Sequence, residues 1–119
     1  MNGLHGILLI LTGVIHIAFG LMPAIYGSQW KQFLNLRIFN TVWVNNDKNM
    51  AAFWFVIFGP IMIALGLAVY ELETQFSILP MSVGWALLSI SILGSIMTPK
   101  SGFTVLLIPQ SVFYLLSAY

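Results

Sequence analysis

The chain predicts an all-α, polytopic membrane protein: four transmembrane helices in a bundle, with a short interfacial helix in the first cytoplasmic connection. Three observations lead there. Of its 119 residues, 60% are hydrophobic and only 6% are charged, whereas a soluble domain carries about 25% charged residues. Four apolar runs recur along the chain, each close to the length needed to cross a ~30 Å hydrocarbon core at 1.5 Å per residue. Every charged residue falls in a connection between those runs. The length allows a single domain, 1–119, and leaves no room for a separate soluble one.

The first span, about 3–22, holds both histidines of the chain, His5 and His16. Eleven steps of 100° return to within ~20° of the start, so both histidines and Thr12 share one face. A polar stripe on a spanning helix should face protein or water, because lipid would cost several kcal/mol. The run lacks a basic start and a small-residue cleavage site, so it reads as a retained span rather than a cleaved leader. The connection that follows, 23–49, is long and carries Tyr26, Trp30, Lys31, Phe33, Arg37, Phe39 and Trp43. Indole rings and snorkelling cations favour the headgroup zone, so about 27–39 is expected to lie on the membrane surface.

Asn45, Asn46 and Asp47 signal a turn and a cap for the second span, about 50–70, where Pro60 should introduce a kink. Residues 71–75 read as a polar connection. The third span, about 79–97, has Pro80 in its first turn. The fourth, about 103–119, follows a tight turn in which Ser101 can cap it, and Pro109 should bend it. Lys31, Arg37, Lys48 and Lys100 lie on one side, and Glu71 and Glu73 on the other. That asymmetry predicts cytoplasmic first and third connections, with both termini outside.

Small residues recur at heptad spacing: Gly6, Gly13 and Gly20 in the first span, Gly59 and Gly66 in the second. They let helix backbones approach closely in lipid. In the third span Ser82, Trp85 and Ser89 share one face while Gly84, Ser91 and Ser95 share the opposite one, so a neighbour on each side is expected.

Two polar groups emerge as candidate sites. In the proposed orientation His16, Trp54, Ser91 and Gln110 fall in one layer, on the order of 6–11 Å below the inner surface. Such a layer suits the polar end of an amphiphile; the plainer alternative is that His16 and Gln110 satisfy each other or a carbonyl freed by Pro60 or Pro109. At the outer rim His5 lies level with Glu71 and Glu73, where a histidine beside carboxylates can transfer protons. Two histidines ~16 Å apart on one helix cannot share a metal ion or a haem iron, so neither metal nor cofactor is expected. The chain has no cysteine, which removes thiol chemistry and leaves the redox compartment unread. A net charge of +1 without a basic patch argues against nucleic acid.

Gly13-Val-Ile-His-Ile-Ala-Phe-Gly-Leu21, Asn40-Thr-Val42, Ala51-Ala-Phe-Trp-Phe-Val-Ile-Phe-Gly59 and Met97-Thr-Pro-Lys-Ser-Gly-Phe103 resemble a family of small bacterial four-helix membrane proteins, domain of unknown function 6463. That family is in turn distantly similar to the DoxX-like proteins. The resemblance covers all four spans, implies the architecture, and brings no reaction with it; its motif residues His16, Trp54, Ser101 and Phe103 fall on the cytoplasmic half.

The expected function is therefore non-enzymatic: binding of a lipophilic small molecule or a membrane partner, with His16 and Gln110 as hydrogen-bond partners, Ser91 in the same layer, and Trp54 and Phe103 as walls. One alternative is an intramembrane isomerase, cyclase or quinone-linked redox enzyme with His16 as acid or base. Another is an accessory subunit of a larger membrane complex, or a homo-oligomer. The expected location is the bacterial cytoplasmic membrane, with membrane lipid as the surrounding partner.

Overall fold

The computed structural model describes residues 2–22, 27, 30, 31, 47–97, 99 and 102–119, with backbone alone at 47–52. These residues form four long helices and no strand. They are α1 (Leu4–Gly20), α2 (Asp47–Gln75), α3 (Met81–Met97) and α4 (Ile108–Ala118), the last preceded without a break by a π-helical stretch, Phe103–Leu107. Apart from Gly27, Trp30 and Lys31, the expected interfacial segment lies outside the described residues. So do Asn45, Asn46, the side chain of Asp47, Lys100, Ser101 and the Asn40–Val42 motif.

Phe53–Gln75, 23 residues containing an 18-residue stretch with a mean hydropathy of 2.2, is long and apolar enough to cross a membrane by length and composition. Leu4–Gly20, Met81–Met97 and Phe103–Ala118 are apolar and shorter. The helix α1 is thus shorter than the apolar run that contains it. It opens at Gly3, whose φ of 67° suits glycine and whose carbonyl accepts the Ile7 N–H at 3.0 Å. It closes with a tightened turn, Met22 N–H donating to the Phe19 carbonyl at 3.2 Å. The Trp30 indole N–H then donates to the Gly20 carbonyl at 2.7 Å, satisfying one of the carbonyls a helix end leaves open.

Two boundaries depart from the sequence expectation. α2 continues through Pro60 and through residues 71–75, which had read as a connection. The extra turn ends at Ser77, whose φ of 54° reverses the chain; Phe76 and Ile78 both donate to the Leu72 carbonyl, at 3.2 and 3.1 Å. Before α4, Pro109 has no N–H to offer the Val105 carbonyl four residues back. The ladder widens instead, and Ile108 N–H donates to the Phe103 carbonyl, five residues back.

The chain divides into two compact units, Met1–Leu8 with Ala68–Tyr119, and Leu9–Leu67. In the first, Val69, Leu79, Leu87, Leu107, Tyr114 and Leu115 are buried. Gly84 of α3 faces α4 so closely that a Cβ there would stand 2.7 Å from Leu115 Cδ2 and 2.8 Å from Tyr114 Cδ1. Ser91 lies on that buried face, whereas Ser82, Trp85 and Ser89 are exposed. α3 therefore packs one of its two small-residue faces within this unit.

In the second unit Leu9 and Met62 are buried, and the heptad glycines set the helix approach. A Cβ on Gly13 would meet the Gly59 carbonyl oxygen at 2.5 Å and Ile63 N at 3.0 Å. Because those atoms are backbone, they cannot rotate away. Gly13→Ala is expected to cost roughly 1–3 kcal/mol, the range for overpacking, while Gly102→Ala, with its nearest neighbour Leu106 Cδ1 at 3.9 Å, should be near neutral. Melting temperatures in detergent check this; equal values would remove the close approach from the fold.

Candidate functional site

Glu73 is the most deeply buried charged side chain described, with 1% of its surface exposed. The extra turn of α2 carries it inward to the start of α1. There its Oε2 accepts the Gly6 N–H at 2.9 Å and its Oε1 the His5 N–H at 3.4 Å. The first N–H groups of a helix have no partner in their own ladder, and the helix dipole places partial positive charge there. A carboxylate supplied by another helix meets both demands. Gly6 makes the approach feasible, since a Cβ there would stand 2.5 Å from the Tyr70 backbone.

Around this carboxylate the first unit collects further polar groups. The His5 ring packs on Phe113 at 4.8 Å and edge-on against Tyr114 at 5.1 Å between centroids. His5 and Tyr114 are both buried, and His5 Nδ1 and Tyr114 Oη have no hydrogen-bond partner among the described residues. One turn before Tyr114, Ser111 is fully buried and meets Ser91 of α3, their hydroxyl oxygens 3.3 Å apart. Each serine also donates to its own helix, Ser91 to the Leu87 carbonyl and Ser111 to the Leu107 carbonyl.

The outer-rim group of the sequence is thus brought together in part. His5 and Glu73 are neighbours; Glu71 points out and is exposed. Tyr114 and Ser111 were missed. Their signal was present as Thr104, Ser111 and Tyr114 at helical spacing along one otherwise apolar helix.

The other candidates divide between the units. His16 and Trp54 belong to the second. His16 is partly buried; its Nδ1–H donates to the Phe55 carbonyl at 3.2 Å. Its ring lies 4.6 Å from that of Phe55 and 4.8 Å from that of Phe58. Trp54 points outward, 59% exposed, with its ring edge-on to Phe53 at 5.3 Å. Ser91, Phe103 and Gln110 belong to the first unit. Ser91 meets Ser111 as described, Phe103 covers Gly94, and Gln110 is partly buried on α4. Among the described residues no three His, Cys, Asp or Glu side chains gather as a metal site would require.

The chain belongs to a family of unknown function, DUF6463, whose sequence profile matches residues 2–118. No curated protein and no solved structure matches it.

Removing the cross-helix cap tests its energetic weight. Glu73→Ala should strand two buried N–H donors, each costing about 1–3 kcal/mol, whereas Glu71→Ala at an exposed position should change stability by less than about 0.5 kcal/mol. Unfolding of both variants in micelles checks this, and equal stabilities would sink the capping role.

Proposed function

We propose that this chain is an integral protein of the bacterial cytoplasmic membrane, a bundle of four spanning helices with both termini outside. In this reading it binds a lipophilic small molecule or membrane partner without catalysing a reaction. The observation that carries the membrane part is the large number of big apolar side chains left on the surface beside polar ones that are buried. His5, Thr12, Glu73, Ser91 and Ser111 are buried, while Leu11, Phe19, Ile61, Leu93, Ile96 and Leu116 are among the many large apolar residues left exposed. In water that arrangement would leave these large apolar side chains solvated, the opposite of what drives folding there. In lipid it removes polar groups from hydrocarbon and gives the apolar ones a matching solvent. The absence of charge from the apolar runs and the confinement of Lys and Arg to the first and third connections support the orientation.

The candidate binding residues are His16 and Trp54 in the second unit and, as a separate set, Ser91, Phe103 and Gln110 in the first. The outward indole of Trp54 offers apolar contact area, and the partly buried His16 offers a polar group held by its bond to the Phe55 carbonyl. An enzymatic role for His16 has less support, because among the described residues it meets a backbone carbonyl and two phenyl rings, none of which exchanges protons. The accessory-subunit alternative draws on the same exposed apolar residues.

The chain has no native cysteine, so single cysteines report topology cleanly. Glu71→Cys should react with an impermeant maleimide added outside, Lys31→Cys only after the membrane is opened, and alkaline carbonate should leave the protein in the membrane. The opposite labelling pattern would invert the orientation, and release by carbonate would end the membrane reading. Native mass spectrometry from mild detergent should show a co-purifying small molecule that His16→Ala loses; an unchanged bound mass in that variant would remove His16 from the site.

A further inference from the structure

The first unit holds more polar groups than a helix cap requires, and they form a series. At one end are Glu73, His5 and Tyr114, each at least nine-tenths buried. Next along α4 comes Ser111, about 4.5 Å of helix rise from Tyr114, with Ser91 of α3 at 3.3 Å. Ser95 follows one turn further along α3, and Thr104 lies beside Phe103, which covers Gly94. The hydroxyl oxygens of Ser95 and Thr104 are buried and, like Tyr114 Oη and His5 Nδ1, have no hydrogen-bond partner among the described residues. A structural cap would not need these additional groups, and burying them unsatisfied costs free energy. Ser91 and Ser111 donate to their own helices and keep lone pairs with which to accept. A water molecule needs two to four polar partners to reside in a protein, and these unsatisfied groups are partners of that kind.

We propose that Glu73, with His5 and Tyr114, is a proton-exchange site, and that Ser111, Ser91, Ser95 and Thr104 line the hydrated track by which protons reach it. A proton arriving along the track binds a carboxylate oxygen of Glu73 to give the acid. Its departure to the opposite side restores the carboxylate, so no other reactant is consumed. Among the described residues, the groups facing Glu73 are the His5 ring and backbone from α1 and the Tyr114 phenol from α4; α3 has no ionisable side chain, and Tyr70 and the exposed Glu71 are ionisable neighbours on its own helix. In the orientation proposed above, the Thr104 end lies towards the cytoplasm and Glu73 towards the outside. This inference rests on the membrane reading and is independent of the ligand assigned to His16.

The test is proton flux in phosphatidylcholine–phosphatidylglycerol vesicles containing a pH-sensitive dye, driven by a potassium diffusion potential. Vesicles are first floated on a density gradient to establish insertion. The native protein should acidify the lumen faster than protein-free vesicles. Glu73→Gln should lower the protein-dependent rate at least tenfold, and Tyr114→Phe and Ser111→Ala severalfold each, with helical circular dichroism unchanged. Should Glu73→Gln fail to fold, the two milder variants decide, and native rates in both would overturn the track. Native protein that floats with the vesicles but conducts no faster than lipid alone overturns the proton site and leaves the membrane reading intact. Failure to float overturns both. A silent native protein with a co-purifying small molecule lost in Tyr114→Phe would also overturn the proton site, assigning this cluster to a ligand instead.

Discussion

A carboxylate from the last turn of α2 caps the first turn of α1, and much of the first unit follows from that contact. Glu73 can reach Gly6 N and His5 N only if α2 remains helical beyond Tyr70 and Gly6 lets the backbones close. The same geometry turns the His5 ring inward onto Phe113 and Tyr114. Gly84 then gives the Tyr114 ring room against α3. A carboxyl group buried so far needs strong partners, and N–H donors at a helix start are among the best the backbone supplies.

The second unit is held by close backbone approach. Gly13 and Gly59 bring two backbones together, each occupying space that a side chain on the other would need. In a lipid setting apolar contact between helices gains little over contact with acyl chains, so close packing and hydrogen bonds must carry association. Both units use close backbone approach, at Gly6 in the first and at Gly13 and Gly59 in the second, and the first adds a buried carboxyl group to it. The π-helical stretch serves the first unit as well: Pro109 breaks the regular ladder, and the widened turn seats Phe103 over Gly94.

Some of the candidate site was legible before any coordinates. Pairing His5 with Glu71 and Glu73 needed only charge placement and span orientation. Choosing between the two acids needed the helix to continue, because residues two apart on a helix point about 200° apart. A local reading of Glu-Leu-Glu-Thr-Gln favours a polar connection; a capping partner on another helix overrides it. Tyr114 escaped notice because an isolated tyrosine in an apolar run resembles an interfacial anchor, and Ser111 because one serine in such a run usually bonds its own helix. His16 stood out as the polar residue most in need of an explanation, and among the described residues a backbone carbonyl and two rings meet it.

By itself the sequence determined the all-helical character, the four apolar runs, the glycine spacing and the family. Each of these depends on composition and period, which are local quantities. Tertiary structure alone decided which polar residues are buried together, since Glu73, His5, Tyr114, Ser111 and Ser91 come from four helices. It also decided that α2 would run to Gln75 and that α3 would pack one small-residue face within the first unit. Those outcomes turn on hydrogen bonds and close contacts between distant parts of the chain, and no local propensity encodes them.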